Sequence, residues 1–347
     1  MDSLLSFKKT SISTDVSHPH PHTKRAMAVM IPKVDLLPGG SPMPVIGLGT
    51  ATFPPPPPDA FRAVVLDAIA LGYRHFDTAS IYDTERPLGD AIAEALRRGL
   101  IQSRSELFIT SKVWCTETYT DRVLPALQKS LRNLGLEYLD LYLVHWPVSL
   151  KPTEVWIPIE TEGMMPFDYR AVWEAMEECH KLGLAKSIGV SNFSCKKLEQ
   201  ILSFANIPPS VNQVEMHPLW QQKKLMEFCK EKRIVITAYS ALGGYGHIWG
   251  NNDVIECKVL KEIASARGRT VAQVCLRWLY QRGVTFIVKT FKTERMKENL
   301  GIFDWELTEE ELKKIRELPQ KRGNTGEDFI SPNGPFKSVV EFWDGEI

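Results

Sequence analysis

No apolar run in this 347-residue chain approaches the ~20 residues that a helix needs to cross a membrane, and no membrane partner is expected. Net charge is also missing, since 42 basic side chains balance 42 acidic ones. Nothing in that balance recommends nucleic acid or a polyanion. Cysteine is sparse and scattered. The six residues Cys115, Cys179, Cys195, Cys229, Cys257 and Cys275 form no CxxC and no paired Cys/His spacing of the kind that holds zinc. Free thiols in a reducing compartment, and no metal, are the expectation. A G-x-G-x-x-G turn is absent, so a Rossmann-type dinucleotide site is not indicated. No internal repeat recurs at a fixed period. The first thirty residues are rich in Ser, Thr, Lys and Pro and lack the apolar centre of a secretory signal. They read as a disordered extension of a cytoplasmic protein.

What is present is alternation. Short β runs (VIGLGT, RHFDTA, LFITSKV, LDLYLVH, AKSIGVS, SVNQVEM, IVITAYS and TFIVKT) are separated by stretches of helical periodicity such as DAFRAVVLDAIALG and VAQVCLRWLYQRG. Eight strands with interleaved helices predict one parallel, right-handed (β/α)₈ TIM barrel over residues 31–347 rather than two domains. Ahead of it, KVDLL-PGGSP-MPVIGLGT reads as a hairpin closing the barrel bottom. Prolines 54–58 form a stiff surface segment that leads into a helix opened by Asp59. Three loops are longer than a barrel requires: 147–167, 241–254 and the tail 321–347. They hold Trp156, Phe167, Tyr245, Trp249, Phe329, Phe336, Phe342 and Trp343, which suits a substrate pocket for a medium-sized, largely apolar molecule.

Each strand ends in a polar or small group, among them Thr50, Asp77, Lys112, His145, Ser191, Asn192, Gln213, Tyr239, Ser240, Lys289 and Thr290. Eight such ends suggest a closed ring of ligands at the carboxyl rim, where barrels keep their chemistry. Three consecutive strands deliver Asp77, Tyr82, Lys112 and His145 to that rim. Together these can reduce a carbonyl. Hydride addition leaves an alkoxide that needs a proton or a positive field. A phenol can give the proton, although its ordinary pKa of about 10 makes it a reluctant acid. Lys112 is expected to lower that cost at Tyr82, Asp77 to hold Lys112 charged, and His145 to orient the substrate oxygen. The electrons must come from an organic cofactor. Where the last strand passes into a helix, Lys289, Thr290 and Arg295 offer point charge, hydroxyl and planar fork to a phosphate dianion.

The tetrad and its spacing of five, thirty and thirty-three residues resemble the aldo-keto reductases, as do GVSNF at 189–193, VNQVEMHP at 211–218 and AYSALG at 238–243. The run MMPFDYRAVWEAMEECHKLGLAKSIGVSNFSCKKLEQ is similar to the plant branch of chalcone-type, codeinone-type and deoxymugineic-acid-forming reductases. The resemblance implies NADPH as cofactor. Ser191, Asn192 and Gln213 would hold the nicotinamide carboxamide, with Thr50 and Asp77 nearby, and Tyr239 would stack on the ring. Ser240, Leu242 and Gly243 would line the pyrophosphate, Lys289, Thr290 and Arg295 the 2′-phosphate, and Glu298 and Asn299 the adenine. Phe53, Trp114, His145 and Trp146 would wall the substrate pocket. His145 stands where relatives that reduce carbon-carbon double bonds carry Glu, which favours carbonyl reduction. Ala241 replaces the proline usual in that branch, which bears on the order of the cofactor-covering loop. The expected reaction is reduction of a ketone or aldehyde, of alkaloid or polyketide type, by a monomer. A transient synthase partner supplying an unstable intermediate is the alternative; a Schiff-base barrel using Lys112 and a non-catalytic NADPH-binding protein stay open beside it. Asn192-Phe193-Ser194 also matches a glycosylation sequon.

Overall fold

A computed structural model of the chain describes residues 30–37, 39–152, 163–244 and 250–347. The expected extension over 1–30, apart from Met30, and Trp156, Tyr245 and Trp249 lie outside the described residues. A two-stranded antiparallel hairpin, β1 (Lys33–Val34) and β2 (Met43–Pro44), precedes the barrel. Strands β3 (Ile46–Gly49), β4 (His75–Asp77), β5 (Phe108–Val113) and β6 (Leu139–Val144) form its first half. A small ribbon of β7 (Ser149–Leu150) and β8 (Met164–Met165) stands on the first long loop. Strands β9 (Ala185–Ser191), β10 (Val211–Glu215), β11 (Val235–Tyr239) and β12 (Thr285–Val288) complete a closed barrel in which β12 pairs with β3 and every pairing is parallel. Covered on both faces, these strands are buried along almost their whole length, and they carry buried polar groups such as Thr110, Ser111, Asp140 and Asn212 as well as apolar ones.

Between the strands run α1 (Pro58–Leu71), α2 (Glu85–Arg97), α3 (Val123–Leu134), α4 (Tyr169–Lys181), α5 (Cys195–Leu202) and α6 (Lys223–Lys232). There follow α7 (Asp253–Glu256), α8 (Lys258–Arg267), α9 (Val271–Gln281), α10 (Thr293–Leu300), α11 (Glu309–Arg316) and α12 (Val339–Phe342). Asp168, Ser194 and Thr270 cap α4, α5 and α9 by accepting from backbone N–H groups of the first turn. Helix α1 starts one residue before the expected Asp59: Pro58 takes its first position, where a proline's missing N–H costs nothing and its fixed φ suits a helix. Helix α11, which periodicity did not reveal, opens on a capping box between Thr308 and Glu311.

Outward-facing residues such as Phe76, Ile109 and Tyr142 pack against the helix layer in one large core. Helices α2 and α3 cross closely at Gly89, where a Cβ would stand 2.3 Å from the Leu134 carbonyl oxygen. On the inside, Leu36 and Met43 of the hairpin pack on Phe108, Leu141, Leu143 and Val211, so the hairpin stoppers the amino-terminal end as expected. The opposite rim carries the functional groups.

Candidate active site

Strand β4 ends at Asp77, and the single 3₁₀ turn that follows, Ser80–Tyr82, swings Tyr82 over the rim. Lys112 lies in β5, hydrogen-bonded to β4 on one side and β6 on the other, and His145 is the first residue beyond β6. The structure brings all four together. Lys112 Nζ donates to Asp77 Oδ1 at 2.5 Å and to the Thr78 carbonyl at 3.0 Å. It stands 5.0 Å from the centre of the Tyr82 ring. Tyr82 Oη lies 3.2 Å from His145 Nε2. Gln213 Nε2 donates to Asp77 Oδ2 at 2.8 Å, tying β10 to the same carboxylate.

Burial decides the protonation states. It pushes the Tyr82 phenol well above the ordinary range, and the Asp77 and Tyr239 charges push it further the same way. The phenol is thus held protonated at rest, with the Lys112 ammonium, itself bonded to Asp77, behind its ring. Lys112 itself is drawn down by burial against the opposing pull of Asp77. Burial, then Lys112, hold His145 well below its ordinary range, so the imidazole is neutral. Its Nδ1 is buried without a partner among the described residues. A buried N–H left unpaired is rarer than an unpaired acceptor, so the proton belongs on Nε2, which donates to Tyr82 Oη. The phenolic hydrogen is then free to turn into the cavity.

That cavity, of about 840 Å³, runs from Tyr82 and His145 past Ser191, Asn192, Gln213 and Tyr239 to Lys289, Thr290, Arg295, Glu298 and Asn299. Asn192 and Ser240 have φ of 65° and 49°, in the left-handed region, at the points where the rim turns off β9 and β11. Asn192 donates to the His145 carbonyl at 3.0 Å and accepts from Tyr239 Oη at 2.8 Å, and Ser191 Oγ donates to the Gln213 carbonyl. With Asn192 only 2% exposed, its sequon offers no glycan site.

Two sequence assignments differ in placement. The Thr50 hydroxyl turns to Thr84 Oγ1 at 2.7 Å, and its neighbours Gly49 and Ala51 line the cavity instead. Gly243 lines a separate, smaller cavity, whereas Gly244 borders the main one. Lys112 does not line the cavity, which disfavours a Schiff-base role. Sequence reasoning missed Ile81, Asn324, Phe291 and Lys292 among the lining residues. Lys292 follows Lys289 by three residues, a spacing that could have flagged it.

A dinucleotide phosphate fits this cavity. Lys289, Lys292 and Arg295 gather at the start of α10, and none has a carboxylate partner among the described residues, so a concentration of positive charge awaits an anion. At the other end the Ser191 hydroxyl, the Asn192 amide bonded to it and the Gln213 amide anchored on Asp77 suit a carboxamide.

Near the catalytic end the wall is apolar. Phe53, Ile81, Trp114 and Trp146 border it, and the cations that line the cavity, Lys261, Lys289, Lys292 and Arg295, belong to α8 and the β12–α10 segment. Phe53 and Tyr82 meet edge to face at 6.2 Å, and Trp114 and His145 at 5.2 Å. Of the tail aromatics, Phe329, Phe342 and Trp343 pack behind Trp146 rather than lining the cavity.

The aldo/keto reductase family model matches residues 45–320. A (1S)-1,7-diacetoxy-luvungin A aldo-keto reductase of Citrus sinensis is 59% identical over 321 residues, covering 92% of this chain and 100% of its own. Deoxymugineic acid synthase 1-D of Triticum aestivum is 60% identical over 305 residues, covering 88% and 97% respectively. Among solved structures, a Bombyx mori aldo-keto reductase in complex with NADP superposes with a TM-score of 0.77 at 36% identity, over 85% of this chain and 95% of that one.

Proposed function

We propose, on the premise that this chain belongs to the aldo/keto reductase family, that it reduces the carbonyl of an uncharged, largely apolar, polycyclic plant metabolite, with Tyr82 as the proton donor. The chain is an NADPH-dependent oxidoreductase. When bound, NADPH supplies the hydride. Lys289, Thr290, Lys292 and Arg295 would hold the adenosine 2′-phosphate, Glu298 and Asn299 the adenine, Ser240 and Leu242 the pyrophosphate. Ser191, Asn192 and Gln213 would hold the carboxamide against Tyr239.

The protein's own part is to place and protonate the carbonyl. A carbonyl oxygen between Tyr82 and His145 meets the phenolic hydrogen and Nε2–H together, and both polarise it. An alkoxide is a stronger base than a phenolate, so a phenol held protonated by burial still yields its proton once the alkoxide forms. Lys112, behind the ring, carries the positive charge nearest the phenolate left behind. Asp77 keeps that charge in place, and Gln213 keeps Asp77 in place.

The observation that carries this reading is the buried Asp77–Lys112–Tyr82–His145 chain at the apolar end of the cavity. The same wall supports the substrate class. A carboxylate substrate would call for a cation beside Trp114 and Trp146, and among the described residues the lining cations belong to the phosphate-facing elements. Ketones of alkaloid, polyketide or limonoid type suit such a wall better than an amino acid does. The reading has the protein act as a monomer in the cytosol; five buried free thiols and the half-buried Cys257 are in keeping with a reducing compartment.

Tyr82→Phe should lower kcat by a factor on the order of 10² to 10⁴, the usual worth of a general acid, while NADPH still binds, as read by quenching of protein fluorescence. Loss of binding in that variant would make Tyr82 structural. A wild-type protein that binds NADPH yet turns over no free ketone or aldehyde would move the substrate to an unstable intermediate from a partner synthase.

A further inference from the structure

The carboxyl-terminal segment is fastened to the barrel at both ends. At its entry, the Glu215 carboxylate at the end of β10 accepts from the backbone N–H groups of Gly323 at 3.1 Å and Asn324 at 2.8 Å. A Cβ at position 323 would stand 2.5 Å from Glu215 Oε1, so a larger residue there would displace the carboxylate. The segment then closes on itself. Trp343 Nε1 donates to the Thr325 carbonyl at 2.7 Å, and the Arg322 guanidinium lies 3.6 Å from the centre of the Trp343 ring and donates to the Glu346 carbonyl at 2.8 Å.

The far end is held by the first turn of α5. Ser194 Oγ donates to Asp344 Oδ2 at 2.6 Å, and Lys197 Nζ donates to that oxygen and to the Phe342 carbonyl, each at 2.5 Å. The Cys195 N–H donates to the Glu346 carboxylate at 3.2 Å. The side chains of Lys197 and Asp344 are 4% and 14% exposed, so these charge-assisted bonds are shielded from water and count for more than surface pairs. Lys196 and Lys224 also reach Asp344 and Glu346, but from solvent, where such pairs are worth little. Between the two fastenings, Phe329, Phe342 and Trp343 lie 5.0, 6.1 and 6.2 Å from Trp146, which borders the cavity next to His145.

We propose that Lys197 is a positioning residue for substrate selection: by clamping the segment at Phe342 and Asp344 it fixes the aromatic backing of Trp146, and with it the room left for a bulky carbonyl substrate. Lys197 is remote from the reacting atoms and outside the cavity lining, and it acts through the segment. The inference rests on the reading that the cavity takes such a substrate.

The test uses the full chain and the variants Lys197→Met, Asp344→Asn and the double substitution. The readouts are kcat and KM for a small aromatic aldehyde and for a polycyclic ketone, the NADPH Kd, and the rate of tryptic cleavage after Lys337. Loss of one charge-assisted bond should raise KM for the polycyclic ketone, and the rate of cleavage, by a factor on the order of ten in each single variant. kcat, the small aldehyde's KM and the NADPH Kd should stay as they are, and the double variant should be no worse than either single one. Parallel losses on both substrates, or weakened NADPH binding, would make Lys197 a residue of general stability and overturn the proposal. Unchanged KM and cleavage would overturn it as well. If the wild type reduces small aldehydes but no polycyclic ketone, while cleavage responds as described, the substrate reading fails and the clamp stands.

Discussion

Replacing Lys112 by methionine would strand the Asp77 carboxylate among its buried neighbours. The two charges lie 2.5 Å apart, with side chains 1% and 5% exposed. At an effective dielectric of about 20 their attraction is roughly 7 kcal/mol, most of which offsets the cost of taking both ions out of water. What remains visible when one partner goes is the penalty of the other left unpaired, about 3–5 kcal/mol. Asp77 would keep one hydrogen bond, from Gln213 Nε2 at 2.8 Å, which places Lys112→Met toward the lower end of that range. Asp77→Asn leaves an uncompensated ammonium and also sets an amide against the Gln213 donor, so it should cost more. Urea unfolding followed by circular dichroism measures each. In the double variant neither charge of this pair is left, and its loss of stability should be smaller than the sum of the two singles by at least about 2 kcal/mol. Additive losses would mean that Lys112 and Asp77 are not a coupled pair and would refute the account of how Lys112 is held beneath Tyr82.

Other expectations follow from the same geometry. His75 is buried with its pKa lowered to about 4, chiefly by burial, so the neutral form stabilises the fold fully above the unfolded value of about 6.5, and that stability drains away as pH falls from there through 4. His75→Gln should flatten the loss of urea-unfolding stability across that interval, and an unchanged slope would assign it to other groups. Arg295→Ala should weaken NADPH binding by roughly 1.5–3 kcal/mol, the worth of a hydrogen bond to a charged group, with NADH binding nearly untouched; calorimetry with both cofactors would show it, and equal losses would place the 2′-phosphate elsewhere. Gly89→Ala pushes a methyl group to 2.3 Å from the Leu134 carbonyl oxygen, backbone against backbone, and should destabilise the protein by about 1–3 kcal/mol with little change in KM.

The barrel was legible because eight short β runs alternated with stretches of helical periodicity, and the β runs ended in polar or small residues at the rim. The tetrad could be read for the same reason: Asp77, Lys112 and His145 are strand ends, and strand ends share one face. Other features depended on contacts between distant parts of the chain. Nothing local marks Thr50 as turning to Thr84 rather than into the cavity. Asn324 borders the cavity with its backbone anchored on Glu215, 109 residues earlier. The protonation state of Tyr82 depends on burial and on the commitment of Lys112 to Asp77, and neither can be read from spacing. Composition suggested the tail aromatics for the pocket wall, whereas Phe329 and Phe342 pack on Trp146 from behind, a placement that only the three-dimensional contacts reveal. Helix α11 announces itself by the Thr308–Glu311 capping pattern, a signal that weak apolar periodicity had obscured.

The hairpin that seats Leu36 and Met43 on Phe108, Leu141, Leu143 and Val211 shuts the amino-terminal end and leaves the carboxyl rim as the one working face. A vessel with one mouth has no through-flow. Each turnover must empty by the opening through which it filled, past Phe53, which is 37% exposed at the lip. Substitutions at the lip should therefore act on how molecules enter and leave, and not on the Asp77–Lys112–Tyr82–His145 chemistry beneath it.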